Sequence, residues 1–200
     1  MDTTQLTLSQ AIEGYFLAAH ARRLSPHTLA DYDNTFRKFE AFLGIDPPLA
    51  RITPAQIRRF LRSQNGLSAK TLLNYHTGLS ALWTWAVKEG VCTEHVVHQV
   101  DRPRPEQREI VPYTKRDVLA ILAACDRSQT YLRPGKAKCA HRRPTALRDR
   151  AMITLLLDTG MRVSELCALR VRHTDHKNQR VMVMGKGRKE RMLPISAPTS

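Results

Sequence analysis

Four segments in the first hundred residues carry apolar side chains every three or four positions, which is the spacing of one face of an α-helix. Each segment opens on a residue type that caps helix N-termini, in two cases with proline next. The starts are Thr7 with Gln10 as a capping box, Ser25-Pro26, Thr53-Pro54 and Ser68. Gly44, Gly66 and Gly90 are expected to end the last three helices. The pattern predicts a compact four-helix bundle.

The apolar stripes also predict the core of this bundle. Its aromatic residues are assigned to the core rather than to a surface for stacking on bases. The predicted core is Leu8, Ile12, Tyr15, Ala19, Leu29, Tyr32, Phe36, Phe39, Leu43, Ile57, Phe60, Leu61, Leu72, Tyr75, Leu79, Leu82, Trp83 and Ala86.

The second half of the chain begins with further helices. One is predicted after Thr114, and an apolar helix is predicted from Ala146 to about Asp158. Between them, residues 127–150 hold eight Lys or Arg against one acid, and their prolines and glycine predict that most of this segment is a basic loop.

A tight junction is predicted next, followed by strands. The apolar helix stops at Thr159-Gly160, and a short helix runs from Arg162 to about Leu169. Its buried side is expected to be Val163, Leu166 and Leu169. Two β-rich runs, 181–184 and 192–195, flank a basic turn with two glycines and predict a hairpin. The predicted fold class is therefore mainly α with a small β-hairpin.

Charge divides the chain at a proline-rich stretch. Residues 1–106 hold 12 Lys or Arg against 10 Asp or Glu, whereas residues 107–200 hold 20 against 8. The sequence RPRPE at 102–106 is typical of a semi-rigid linker, so we expect domains at 1–106 and 107–200. A net charge of +14 favours a polyanionic partner, with nucleic acid before an anionic membrane surface.

Other classes are excluded or disfavoured by composition. The hydrophobic fraction of 42% excludes a disordered basic tail. No apolar run approaches the roughly 20 residues of a membrane span, and the N-terminus lacks a signal-peptide pattern, so we expect a cytoplasmic protein without a membrane partner. The four cysteines lack zinc-knuckle spacing and are expected to be free thiols, with no metal site.

Two runs in the second half stand out as motifs. Residues 159–166 read TGMRVSEL, with LRDRA at 147–151 before them, and residues 185–191 read GKGRKER, with LPI at 193–195 after them. The first run resembles the first arginine box of the tyrosine recombinase (phage integrase) family, in particular of its Xer-like members. The second run resembles the lysine hairpin of the same family.

The resemblance extends to the N-terminal bundle and implies a fold and a reaction. With LSAKT at 67–71 and WAVKEG at 85–90, the bundle is similar to the family's SAM-like core-binding domain. The second half would then be the first part of a mixed α/β catalytic domain. In this family a tyrosine attacks a DNA phosphodiester, giving a 3′-phosphotyrosyl link and a free 5′-hydroxyl, and a second DNA end reverses the step. The implied partners are double-stranded DNA and other recombinase protomers, and no cofactor is implied.

The same resemblance assigns roles to three residues. Arg162 matches the first catalytic arginine, whose permanent charge stabilises the phosphorane-like transition state. Lys186 matches the hairpin lysine, a general acid that protonates the leaving 5′-oxygen. Glu165 matches a glutamate that supports the arginine.

Further basic residues are candidates for contacts to DNA phosphates. For those in the first half, an ordinary solvated helix face is an equally good interpretation. The candidates are Arg22, Arg23, Arg37, Lys38, Arg58, Arg59, Lys70, Arg142, Arg143, Arg148, Arg188 and Lys189.

Two family motifs are out of place in this sequence. The family has His-x-x-Arg and then the tyrosine after the lysine, whereas here His-x-x-Arg occurs only at 20–23, and Tyr113 and Tyr131 both precede Arg162. We therefore expect a truncated recombinase that binds DNA, cannot cleave it alone, and exposes apolar surface in its second domain. A non-catalytic DNA-binding or regulatory protein, and a helix-turn-helix regulator with residues 163–169 in its recognition helix, remain as alternatives.

Overall fold

The computed structural model describes residues 6–106, 109–130, 135, 139–185 and 189–196. The chain divides into two compact units, Met1–Glu109 and Ile110–Ser200. In the described ranges, no helix is both long enough and apolar enough to cross a membrane.

The described part of the first unit is a helical bundle. Its helices are α1 (Leu8–Ala21), α2 (Pro26–Leu43), α3 (Pro54–Ser63) and α4 (Ala69–Lys88), with 3₁₀ turns at Leu49–Arg51 and Val96–Gln99. The four predicted caps are confirmed, because each side-chain oxygen accepts a hydrogen bond from the backbone N–H three residues later. Gly90 follows the cap residue of α4 in the left-handed conformation at φ 72°, so it ends this helix as predicted, whereas α3 ends at Ser63, three residues before Gly66.

The core of this unit contains the predicted aromatic and aliphatic residues. Trp83, Phe36, Phe39 and Phe60 are fully buried, and Phe39 meets Phe60 edge to face with ring centroids 5.1 Å apart. The predicted core residues nearer its margin are only partly buried, and these are Leu29, Tyr32, Leu43 and Leu72. This core gives the bundle a rigid frame for its exposed basic residues.

The second unit combines helices with a small antiparallel sheet. Its described helices are α5 (Lys115–Ala124), α6 (Ala146–Thr159) and α7 (Val163–Cys167), with a 3₁₀ turn at Val171–His173. The strands β1 (Thr174–Asp175), β2 (Arg180–Met184) and β3 (Glu190–Pro194) lie in the order β1-β2-β3. The predicted hairpin is β2-β3, in register with Val183 opposite Arg191. The strand β1 was not predicted, since two residues show no alternation.

The buried core of the second unit is small, and one residue predicted to lie in it is exposed. Met161, Val181, Val183 and Ile195 form its centre. Val163 was predicted to be buried, which is wrong: it is 67% exposed, whereas Glu165 is buried. The inner position of the five-residue helix α7 is taken by Glu165, whose carboxylate is stabilised there by hydrogen bonds from Arg191 on β3. Large apolar side chains are also exposed elsewhere in this unit, at Leu147 and Val171 among others.

Candidate functional site

Arg162 lies at a sharp junction between two helices. Gly160 ends α6 in the left-handed conformation at φ 62°, which a residue without Cβ adopts without strain. Met161 is buried beside the sheet, and Arg162 has extended backbone as the residue before α7. The anchored Met161 and the new helix together direct the Arg162 side chain outward, where 66% of it is exposed.

Glu165 is the buried partner of Arg162. Only 3% of its side chain is exposed, and one turn of α7 brings it back to the start of the helix. Its Oε2 accepts a hydrogen bond from the Arg162 backbone N–H at 2.9 Å, and its Oε1 accepts one from Arg162 Nη1 at 3.1 Å. The carboxylate therefore fixes both the backbone and the guanidinium of Arg162, and the supporting role that the resemblance implies for Glu165 stays a prediction.

Arg191 on β3 is a second partner of Glu165 and was not among the predicted site residues. Its Nη1 and Nη2 donate to Oε1 and Oε2 of Glu165, both at 2.8 Å, in a two-pronged ion pair. The alternation of β3 carries a signal for this placement, since Arg191 shares the inner side of the strand with Leu193. An arginine at an inward position requires a buried anion, and Glu165 supplies it.

The two arginines stabilise the ionised form of Glu165. The pKa of Glu165 falls from 4.5 to about 2, mainly because of the hydrogen bonds from Arg191 and then the one from the Arg162 backbone, while burial acts in the opposite direction. Glu165 is therefore ionised at neutral pH, where its oxygens accept hydrogen bonds and it has no proton to transfer. Two guanidinium groups share one carboxylate, so this group of three residues keeps an excess positive charge.

The hairpin turn begins directly beside this group. A Cβ built on Gly185 would lie 3.1 Å from Arg191 Nη1 and 3.9 Å from Glu165 Oε1. The Gly185 N–H donates to the carbonyl of Lys189 at 2.8 Å and closes the base of the turn, and Lys189 is exposed. Lys186 and Arg188, two of the predicted site residues, lie outside the described residues.

The predicted DNA-contacting residues of the first unit are all exposed, and three of them have partners within the bundle. Lys38 Nζ donates to the hydroxyl of buried Tyr75 at 2.7 Å, Arg58 donates to the carbonyl of Gln99 at 3.0 Å, and Arg37 pairs with Asp33. The remaining four make no side-chain hydrogen bond or ion pair to another described residue, and these are Arg22, Arg23, Arg59 and Lys70.

Three basic candidates of the second unit, Arg142, Arg143 and Arg148, lie just before α6 or in its first turn. Arg143 Nη2 and Arg148 Nη2 each contact Asp149 at 2.8 Å, while Arg142 is exposed. Hydrogen bonds from Arg148 and then Thr145 lower the pKa of Asp149, so it is charged at neutral pH. Asp149 thus holds two arginines in place at the surface. Within the described ranges, no three acidic, histidine or cysteine side chains are grouped so that they could hold a metal ion.

Comparison with known proteins places both units in one family. The profile described as "Phage integrase, N-terminal SAM-like domain" matches residues 12–90. The profile described as "Phage integrase family" matches residues 113–199. The two matches occur in the order that the sequence motifs predict.

Curated relatives and solved structures agree with these matches. Tyrosine recombinase XerC of Mycobacterium bovis is 32% identical over 188 residues, which cover 92% of this chain and 59% of the relative. The XerC of Mycobacterium sp. strain JLS is 30% identical over 182 residues, covering 88% and 57%. This chain thus spans less than two thirds of the length of these relatives.

The fold is shared with lambda integrase. A lambda integrase tetramer bound to a Holliday junction is similar with a TM-score of 0.72 at 21% identity, covering 94% of this chain and 51% of that one. A lambda integrase dimer bound to a COC′ core site has the same TM-score and identity, covering 94% and 49%. Both the sequence profiles and the relatives lead to one assignment: this chain belongs to the phage integrase family of tyrosine recombinases.

Proposed function

We propose that this chain binds double-stranded DNA and supplies part of the site for strand exchange in site-specific recombination. In this proposal, residues 1–106 are the SAM-like DNA-binding domain and residues 107–200 are the first part of the catalytic domain. The observation that carries it is the exposed guanidinium of Arg162, held at a sharp junction by the buried Glu165. A fixed, permanently charged fork of this kind is suited to binding two oxygens of one phosphate.

The proposed chemistry gives each residue of the site a separate task. Arg162 stabilises negative charge on the phosphorane-like transition state after a tyrosine attacks the phosphodiester. Lys186, the residue after Gly185 in the sequence, protonates the 5′-oxygen as it leaves. Glu165 holds the arginine and transfers no proton, in keeping with its low pKa.

The nucleophile is not among these 200 residues in a fitting position. The last tyrosines of the sequence are Tyr113 and Tyr131, before Arg162, and no His-x-x-Arg follows Lys186. We therefore propose that the 200 residues bind DNA without cleaving it. In not cleaving DNA, they would resemble the second candidate function, a non-catalytic DNA-binding or regulatory protein. A helix-turn-helix regulator is less well supported, because α7 has five residues and its central one is buried.

Duplex DNA and further protomers are the proposed partners. The lambda integrase structures are described as a dimer on a core site and a tetramer on a Holliday junction, which supports this choice of partners. Because the proposed substrate is duplex DNA, we also propose a cytoplasmic location.

A pair of binding experiments tests the proposal. Gel shifts with a duplex at several salt concentrations are expected to show complexes that weaken steeply as salt rises, because phosphate contacts release counterions. A nicked suicide substrate is expected to give no covalent adduct with these 200 residues. Binding that is absent at low salt would refute DNA binding, and a covalent adduct would refute the absence of a nucleophile.

A further inference from the structure

Arg191 connects the strand β3 to the helix α7 through a single carboxylate. Its two terminal nitrogens reach both oxygens of Glu165 at 2.8 Å, across 26 positions of sequence. A planar fork facing a planar carboxylate fixes the orientation of that carboxylate as well as its position. Only 39% of the Arg191 side chain is exposed, so the pair is partly shielded from water.

The orientation of Glu165 in turn determines the orientation of Arg162. The oxygen Oε1 accepts from Nη1 of both arginines, while Oε2 accepts from Arg162 N and Arg191 Nη2. If Glu165 rotated, Arg162 Nη1 would lose its acceptor. Among the described residues, Nε and Nη2 of Arg162 make no hydrogen bond, so this edge of the guanidinium remains available to an external anion.

The base of the hairpin turn contacts the same ion pair. Gly185 leaves room for Arg191, since an added Cβ would be only 3.1 Å from Nη1. Even a methyl group at Gly185 would therefore press on the guanidinium of Arg191. The absence of a side chain there allows the hairpin backbone to lie directly against the Arg191–Glu165 pair.

We propose that Arg191 is a positioning residue for DNA binding by Arg162. It holds Glu165 in the one orientation that presents the Arg162 guanidinium to a phosphate of the DNA backbone, and it fixes the hairpin base beside that phosphate. This inference rests on the proposed function, because it concerns how the same site binds DNA. If Arg191 only neutralised the charge of Glu165, any cation at this position would serve. The positioning role instead needs the two-pronged geometry of arginine.

The test is a double-mutant cycle on DNA affinity with the whole chain. Arg162→Ala is expected to weaken binding of a labelled duplex about tenfold in the wild-type background, the loss of one charge-assisted contact. In the Arg191→Lys background, the same Arg162→Ala change is expected to cost less than about threefold, because lysine keeps the charge but cannot bind both oxygens. Arg180→Lys, at the exposed first position of β2, is the matched control and should leave the tenfold cost intact.

The outcomes separate the two proposals. If Arg162→Ala costs tenfold in the Arg191→Lys background as well, Arg191 does not position Arg162 and the inference is overturned. If the wild-type chain shows no salt-dependent binding, the proposed function itself fails. Should Arg191→Lys not fold, as judged by circular dichroism and thermal unfolding, Gly185→Ala decides instead. Its Cβ would lie 3.1 Å from Arg191 Nη1, so the guanidinium must shift by a few tenths of an ångström with no change of charge, and a folded variant that keeps the tenfold cost would overturn the inference.

Discussion

Replacing Glu165 by glutamine sets two physical effects against each other. The substitution removes one negative charge from a strongly basic unit, so long-range electrostatics alone would tighten DNA binding. The geometry of the site predicts the reverse, because Arg162 depends on both oxygens of Glu165 for its orientation. The direction of the change in affinity therefore distinguishes a positioned phosphate contact from a diffuse basic surface.

The size of the geometric effect follows from the hydrogen bonds that a glutamine can keep. Glu165 accepts four, two on each oxygen, at distances of 2.8 to 3.1 Å. A glutamine has one oxygen, and its NH₂ group would face two donors in either orientation. Each orientation breaks one bond to Arg162 and one to Arg191. We expect the loss of an ordered Arg162 to weaken duplex binding about tenfold, more than one added charge would tighten it.

The assay is fluorescence anisotropy of a labelled duplex at one fixed, near-physiological salt concentration, with folding checked by circular dichroism. Glu190→Gln is the matched control, because it makes the same charge change at an exposed position of β3. The control is expected to bind as well as wild type or slightly better, and Glu165→Gln about tenfold more weakly. Equal or tighter binding by a folded Glu165→Gln variant would refute the reasoning.

Three further predictions concern stability and the origin of affinity. Above about pH 4.5, the thermal midpoint of wild type should exceed that of Glu165→Gln by its full amount. The difference should vanish as pH falls through about 2, because the lowered pKa of Glu165 stabilises the fold only while this carboxylate is ionised. A difference that persists at pH 2 would contradict this. Gly78→Ala should lower the free energy of unfolding by about 1–2 kcal/mol in denaturant, because its Cβ would lie 3.1 Å from the Cγ2 of the stiff Thr35 side chain and this clash outweighs the gain in helix propensity. A stabilised variant would disprove that packing. Tyr75→Phe should lower the free energy of unfolding by about 0.5–1 kcal/mol, because it removes the acceptor of Lys38, and should leave DNA affinity unchanged. Lys38→Met should weaken DNA binding only if Lys38 also contacts phosphate.

The helical unit could be predicted closely because its signals are local. A cap such as Thr53 needs only the backbone three residues later, and stripes such as Ile57, Phe60 and Leu61 are set by helix geometry. The exact helix ends are less predictable, since α3 ends three residues before Gly66, where the Gln64 N–H already bonds the Leu61 carbonyl.

The candidate site was predictable only in part because its key contact is not local. Arg162 and Glu165 were recognisable as a motif on one turn, but the partner that orients them lies 26 residues away on β3. The error at Val163 has the same origin. Periodicity places the apolar Val163 on the inner face of α7, yet Arg191 on β3 stabilises the Glu165 carboxylate there instead. Identifying Arg191 from sequence would have required the hairpin register that sets it opposite Val183.

The central claim, that Arg162 contacts a DNA phosphate, is tested most directly by the salt dependence of binding. The logarithm of the duplex dissociation constant is measured against the logarithm of salt concentration for wild type, Arg162→Ala and Arg162→Lys. One lost phosphate contact predicts that the slope for Arg162→Ala falls by about 0.9 from the wild-type value. Arg162→Lys, which keeps the charge, should retain most of the slope. Identical slopes for folded wild type and Arg162→Ala would contradict the account.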